Sequence, residues 1–219
     1  MNLTEEKFLA DVAAHQMIVI RDDGLYRHIR FKRPSTGCMH FDLVTWPGYL
    51  AYSGDMGCYV FCRIEDMFEF FRMGKDDWNY NRNGGLSINP GYWSEKLMAV
   101  DGGRSKGSAT EFSEEKFRRV IHSERLEWIR ENRHTLTKEE RRELWEAVDD
   151  EVLSRADSEH EAMQAAYGFS HRIGVSEQQF CFTDLWDHDF TAFTYRFKWC
   201  CYALAWGIQK YDEVKAVAA

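Results

Sequence analysis

Between residues 16 and 64 the sequence repeats one arrangement, a short run of strand-forming residues followed by a compact turn. β-Branched and aromatic residues fill the runs, while Gly, Pro, Asp and Ser fill the turns. Connections this short join antiparallel neighbours, because a parallel crossover needs a dozen residues or more. We therefore predict an antiparallel β-meander of four or five strands over this segment.

Helical patterns flank the predicted meander on both sides. A short amphipathic helix is expected over residues 4–13, and a second one over residues 65–73. A long polar loop over residues 74–92 then leads to a short helix expected over residues 93–100. Helices packed on one face of an antiparallel sheet define the α+β class, so we predict an α+β fold.

The composition changes after residue 100. The stretch DGGRSKGSAT, residues 101–110, has the composition of a linker, and the pattern that follows it is helical. We predict a helix–β-meander–helix region over residues 1–100, a Gly-rich connector over residues 101–110 and an α-helical region over residues 111–219. The length permits one domain or two small ones, so packing of the two regions as one domain stays open.

The negative charge of the chain lies mostly in its second half. The formal net charge is −8, and residues 1–110 are close to neutral. An acidic surface disfavours non-specific binding to duplex DNA, because phosphate contacts need Lys and Arg. It suits a basic protein partner, although a solvated helical face explains the same charge.

Several classes of protein are excluded by the composition. No stretch approaches the roughly 20 apolar residues of a membrane-spanning helix, so no membrane contact is predicted. The first residues have neither a basic region nor an apolar core typical of a signal peptide. The six cysteines are therefore expected to be reduced thiols in a cytoplasm rather than disulfides.

Catalytic motifs are incomplete throughout the chain. His40 and Asp42 are expected to share one face of a strand, and Asp187 and His188 belong to an acidic run before the last helix, so these four are weak metal-ligand candidates. A polar strand face and helix-initiating Asp residues explain the same patterns. We predict no enzyme activity and no cofactor, with a metal-dependent hydrolase as the outsider.

A second group of residues is typical of a surface that binds single-stranded nucleic acid. Basic and aromatic side chains occur together on one predicted strand of the meander, and two further cations lie in the connector. The candidates are Tyr26, His28, Arg30 and Lys32 on the strand and Arg104 and Lys106 in the connector. Every half-buried antiparallel sheet also has a polar outer face, which is the competing interpretation.

The last helix, expected over roughly residues 189–211, is apolar nearly all round. One stripe runs from Phe190 to Ile208, and a second consists of Trp199, Tyr202 and Trp206. Such a helix is either central to the core or shared with a partner. Because Trp and Tyr anchor interfaces, the second stripe is our candidate for contact with a partner or a second copy.

Two segments carry a resemblance to a known family. LTEEKFLADVAAHQM, residues 3–17, and HFDLVTWPGYLAYSGDMGCYVFCRIEDMFEFFR, residues 40–72, resemble a family of accessory proteins, without assigned activity, that tailed bacteriophages and prophages encode. The resemblance implies a phage accessory protein in the cytoplasm of the bacterial host. It adds no catalytic residues.

Two functions follow as predictions. The first is a non-enzymatic protein that binds and inhibits a host defence complex, as anti-CRISPR proteins do; its partner is a host protein or ribonucleoprotein. The alternative is a single-stranded nucleic-acid-binding protein for phage replication or recombination.

Overall fold

The computed structural model describes residues 3–72, 85–101, 109–173 and 178–218 of the chain. The chain divides into two compact units, one made of Met1–Thr110 and Phe193–Ala219 and the other of Glu111–Ala192. The predicted helical region over residues 111–219 is therefore divided between the two units, because its last helix belongs to the first unit. Connector residues 102–108 lie outside the described residues.

The sheet of the first unit contains six antiparallel strands in the order in which they occur along the chain. They are β1 (Gln16–Asp23), β2 (Tyr26–Lys32), β3 (Phe41–Trp46), β4 (Tyr49–Gly54), β5 (Gly57–Cys62) and β6 (Leu97–Val100). Strands β1 to β5 follow each other through short turns, which confirms the predicted meander, and the fold is α+β as expected.

Strand β6 corrects the prediction of a helix over residues 93–100. Only the first part of that segment is helical, at the end of a short helix over Pro90–Ser94. Residues from Leu97 onward pair with β5, where Phe61 lies opposite Leu97 and Tyr59 lies opposite Val100. Pairing with the open edge of the sheet determines the conformation of this short apolar run.

Seven helices occur in the described residues, together with four further short strands. The helices are α1 (Glu5–Val12), α2 (Met67–Phe71), α3 (Pro90–Ser94), α4 (Glu114–Glu131), α5 (Lys138–Glu151), α6 (Glu159–Gly168) and α7 (Tyr195–Ala218). The strands are β7 (Thr110–Phe112), β8 (His171–Arg172), β9 (Gln179–Phe180) and β10 (Thr191–Phe193). Strand β7 pairs with β10, and β8 pairs with β9. None of these helices combines the length and apolarity that crossing a membrane requires.

Side-chain caps explain where the longer helices begin. Thr4 accepts a hydrogen bond from the backbone N–H of Lys7 at the start of α1, and Ser113 accepts one from Lys116 at the start of α4. Thr137 and Glu140 form a reciprocal capping box at the start of α5. Helix α7 begins later than predicted, because residues 191–193 form β10 instead of its first turn.

The core of the first unit lies between one face of the sheet and the helices. Alternate strand residues such as Phe31, Phe41 and Leu43 are fully buried there, opposite the long helix α7. The helix lies close to the sheet at Gly207, where an added Cβ would lie 3.0 Å from Leu43 Cδ1 and 3.1 Å from Phe31 Cε2. Every residue of α7 from Phe197 to Ile208 is buried or half-buried, which accounts for the apolar residues on nearly all sides of this part of the helix.

The second unit has a core of its own. Helices α4, α5 and α6 contribute Phe117, Ile121, Leu144 and Val148 among others, and the segment after α6 adds aromatic residues such as Phe180. A buried charge accompanies these apolar residues, since Arg125 of α4 is fully buried.

A candidate binding site at the edge of the sheet

Strand β1 forms one edge of the six-stranded sheet. Within the described residues it pairs with β2 alone, so its other side offers unpaired backbone N–H and C=O groups. Three consecutive apolar side chains of this edge are exposed, with 40% of Ile18, 48% of Val19 and 50% of Ile20 accessible. Proteins usually shield such an edge with charges, which β1 carries only from Arg21 onward.

A groove of about 340 Å³ lies beside this edge, between α1, the start of β1 and the C-terminal half of α7. Its walls are chiefly apolar and include Leu9, Val12, Met17, Trp206 and Val214. Leu9 and Val214 are themselves exposed. Met17 is the β1 residue that lines the groove, and the exposed run Ile18, Val19 and Ile20 follows it directly along the strand.

The pairing between β1 and β2 shows which β1 side chains face the groove. Met17 lies opposite Phe31, and Val19 lies opposite Ile29. Residues directly opposite one another in an antiparallel pair share a face of the sheet, and Phe31 and Ile29 are both buried beneath the helices. Met17 and Val19 thus lie on the helix side of β1.

His15, which follows α1, provides a polar group at the groove. Its Nε2 lies 2.7 Å from the carbonyl oxygen of Met39. Because a carbonyl oxygen only accepts, Nε2 carries a hydrogen in this bond. The other ring nitrogen, Nδ1, is buried and has no hydrogen-bond partner among the described residues. Among the described residues that line the groove, no other has a buried polar side-chain atom without a hydrogen-bond partner.

An edge strand beside an apolar groove can bind an extended polypeptide. The added chain hydrogen-bonds to the free backbone groups of the edge strand, and its alternate side chains enter the neighbouring groove. Here the backbone groups belong to the exposed part of β1, and the groove receives the side chains that point toward the helices. A strand added at this site would gain affinity through its main chain and selectivity through its side chains.

The predicted interface stripe of α7 is only partly at the surface. Trp199 is fully buried, and its indole N–H donates a hydrogen bond of 3.1 Å to Asp11 Oδ2, so this residue follows the core alternative stated for the helix and is not accessible to a partner. Tyr202 and Trp206 are half-buried, and their rings lie 5.5 and 6.3 Å from that of Phe8. Helix α1 packs on the side of α7 that carries this stripe, a contact that the sequence pattern of α7 alone does not indicate. Of the three residues, Trp206 lines the groove.

The predicted nucleic-acid surface is largely neutralised. Arg30 forms two hydrogen bonds of 2.7 Å with Asp42, and His28 Nε2 lies 3.1 Å from the same carboxylate. The hydrogen bonds and charge of Asp42 raise the pKa of the Arg30 guanidinium. Tyr26 is exposed beneath the guanidinium of Arg21, which is 5.2 Å from its ring centroid.

The remaining nucleic-acid candidates add little charge to that strand. Lys32 lies at the end of β2 and is half-buried, whereas Arg104 and Lys106 lie outside the described residues. A phosphate backbone would therefore meet Arg30 only in competition with Asp42.

The metal-ligand candidates are not brought together. Nδ1 of His40 lies 2.8 Å from the carbonyl oxygen of Gly37, whereas Asp42 is occupied by Arg30 and His28. The prediction that His40 and Asp42 act from one strand face is wrong, because β3 begins after His40.

The acidic run before the last helix does not form a metal site either. His188 Nε2 lies 3.6 Å from Glu124, a carboxyl whose pKa is raised by burial, and Asp187 is exposed. Across the described ranges, no three His, Cys, Asp or Glu side chains are grouped as a metal ion would require.

In comparisons with protein-family models, with curated proteins and with solved structures, nothing matches this chain. The candidate site is therefore argued from its own geometry. The sequence predicts strands within residues 16–64 but does not indicate that residues 17–21 belong to an edge strand. Their unbroken apolar pattern is equally typical of a central strand, and the order of strands follows from pairing that the pattern does not specify.

Proposed function

We propose that this protein is a non-enzymatic binding protein that captures an extended segment of a partner protein along β1. The observation that carries the proposal is the exposed edge at Ile18, Val19 and Ile20 beside the apolar groove. A partner segment with apolar residues at alternate positions matches both features, because every second side chain of an extended chain lies on one side.

The resemblance of residues 3–17 and 40–72 to phage accessory proteins supports a more specific partner. We propose that the captured segment belongs to a host defence complex, with a CRISPR-type effector as the first candidate, and that the protein acts in the cytoplasm of the bacterial host. Binding to an edge strand needs no catalytic group, which agrees with the incomplete catalytic motifs.

Synthetic peptides test the binding mode directly. The probe is an extended peptide of alternating Val and Thr, and its two twins carry N-methyl groups on the odd or the even backbone nitrogens. We expect the unmodified peptide to bind and to slow amide hydrogen exchange at residues 16–20. At least one methylated twin should bind about tenfold more weakly, because it loses hydrogen bonds to β1. Equal binding of all three peptides would contradict strand addition.

Matched variants locate the site. Val19→Lys places a charge on the edge and Leu9→Glu places one in the groove, and we expect both to weaken peptide binding. Met98→Lys is the control, because Met98 is an exposed apolar residue on β6, the opposite edge of the same sheet. Weaker binding by Met98→Lys alone would place the site on the other edge.

The identity of the partner needs a separate assay. Stoichiometric amounts of the protein should inhibit target cleavage by a purified, guide-loaded CRISPR effector, and Val19→Lys should not. Cleavage at full rate in the presence of the wild-type protein would contradict the proposed partner and leave the peptide result unaffected. A second copy of the protein bound to β1 is the competing occupant. Sedimentation analysis in the same buffers would detect it as a dimer.

A further inference from the structure

A second groove lies in the other unit, between α4 and α5. Its volume is about 530 Å³, and its apolar floor consists of Leu126, Ile129 and Trp145. Leu126 is 37% exposed and Trp145 is 39% exposed, although both are large apolar side chains. Helix faces of this kind are normally covered, so the groove is a surface that a partner can bury.

Cationic side chains line the α5 wall of this groove. Lys138, Arg141 and Arg142 occupy the first turns of α5. Within the described residues, Lys138 and Arg141 have no carboxylate at ion-pairing distance, whereas Arg142 pairs with Glu146 at 2.7 Å. That pair is exposed and of little energetic weight, so it can exchange partners. The local charge is positive although residues 111–219 carry most of the negative charge of the chain.

Trp145 is held in place from beneath by a buried arginine. The guanidinium carbon of Arg125 lies 3.5 Å from the centroid of the indole ring. Arg125 is fully buried and donates hydrogen bonds of 2.7 Å to Asp149, 2.9 Å to the carbonyl oxygen of Trp145 and 2.6 Å to Nδ1 of His122. One face of the indole is thus fixed before any partner arrives, which reduces the entropy lost on binding.

From these contacts we propose that the α4–α5 groove binds an acidic amphipathic helix of a partner protein. Apolar residues three and four positions apart on that helix bury Leu126, Ile129 and Trp145, and Asp or Glu residues beside them pair with Lys138, Arg141 and Arg142. The charge of the wall selects the acidic partner, because a basic helix would meet three cations against the single carboxylate of Glu146.

A single-stranded nucleic acid is the competing anionic ligand, and the lining disfavours it. Binding of that kind relies on successive aromatic side chains that stack on bases. This groove offers one indole, while Leu126 and Ile129 provide aliphatic contacts that suit Leu, Ile or Met side chains. The proposal concerns the second unit and goes beyond the strand-capture function of β1.

The probe is a synthetic peptide of about 18 residues, long enough to be partly helical in water, with Leu at helical spacing and Glu beside it. Its twin carries Lys in place of each Glu, and an oligothymidine serves as the nucleic-acid probe. We expect the Glu peptide to bind, with an affinity that falls as salt rises. The Lys twin should bind at least tenfold more weakly. Equal binding of both twins, or tighter binding of the oligothymidine, would overturn the proposal.

Variants assign the binding to the groove. We expect at least a tenfold loss of affinity for the Glu peptide in the double variant Lys138→Glu, Arg141→Glu and in Trp145→Ala. The control is Arg119→Glu, since Arg119 is an exposed cation of α4 that does not line the groove. An unchanged affinity in the Lys138 and Arg141 double variant, in which Lys138 is exposed and Arg141 half-buried, would reject the site. Val19→Lys should leave this binding intact, so failure here is distinguishable from failure at β1.

Discussion

The hydroxyl group of Tyr211 donates a hydrogen bond of 2.8 Å to Oδ1 of Asp22, and this bond joins α7 to the edge strand β1. Lys215, one turn further along α7, pairs with the other carboxylate oxygen. Burial alone would raise the pKa of Asp22, but the hydrogen bonds from Lys215 and Tyr211 outweigh it and hold the pKa below its usual value. An ionised carboxylate therefore fixes β1 against α7 at neutral pH.

Tyr211→Phe should lower the free energy of unfolding by about 1 kcal/mol, because it removes this donor and leaves Asp22 with one partner fewer. The ring keeps its edge contact with Phe68, whose centroid is 5.3 Å away. Urea denaturation of the two proteins measures the difference. Tyr167→Phe is the control, since Tyr167 is exposed and should tolerate the change. Equal effects of both substitutions would mean that the bond to Asp22 contributes nothing.

Asp66→Ala should destabilise the protein much more, by about 3 kcal/mol. The side chains of Arg27 and Asp66 are only 10% and 16% exposed, and two hydrogen bonds of 2.8 Å join them. Asp66 also caps α2 by accepting a bond from the backbone N–H of Phe68. The substitution therefore leaves a buried guanidinium unpaired and removes a helix cap. Chemical denaturation is the measurement.

Glu115→Ala is the matched control for that experiment, since it removes a carboxylate from an exposed pair with Arg119. We expect almost no change in the denaturation midpoint. A loss as large as that of Asp66→Ala would show that burial does not distinguish the two pairs.

Acid should unfold the protein through the same carboxylate. Burial acts to raise the pKa of Asp66, but the bonds from Arg27 and from the N–H of Phe68 lower it overall. The stability that this shift contributes is present above the unfolded pKa of about 4 and is lost as the pH falls through the lower folded value. Melting temperatures of the wild type should drop below about pH 4, and those of Asp66→Ala should drop less steeply. Parallel pH profiles would refute this assignment.

Gly54→Ala should disturb the β3–β4 hairpin. A Cβ at this position would collide with the carbonyl oxygen of His40 and lie 2.8 Å from Cα of Phe41, and these backbone atoms cannot move aside without breaking strand pairing. We expect a loss of about 2 kcal/mol or more in the free energy of unfolding. Gly37→Ala is the control, because no described atom lies within 4 Å of its added Cβ. Similar stability of both variants would contradict the close approach.

The meander could be predicted from the sequence because turn residues and strand periodicity are local properties. Gly48 and Gly57 adopt positive φ angles of 85° and 111° in the turns where the sequence indicated them. The sixth strand was missed because LMAV, residues 97–100, is short and apolar and fits a helix equally well. Its partner β5 lies far away in sequence, so local patterns do not specify the pairing.

The two proposed binding surfaces depend on packing that no local pattern specifies. The apolar run of β1 is exposed only because β1 is the outermost strand, and Trp199 is buried only because α7 lies against the sheet and α1. The α4–α5 groove cannot be predicted from the sequence, because Lys138, Arg141 and Arg142 match an ordinary solvated helix start, and only the fold places Leu126 and Ile129 beside them. Exposure of apolar residues is a property of the folded chain.

The division of the chain determines the order in which its parts can fold during synthesis. Residues 111–192 form a unit between the two segments of the first one. Helix α7 supplies Phe197, Trp199, Leu204 and Ile208 to the core beneath the sheet. The part of the apolar sheet face that α7 covers therefore stays exposed until α7 has been translated, although α1, α2 and α3 are made earlier. The inserted unit has its complete core before that point. A nascent chain halted just before α7 would be a substrate for chaperones.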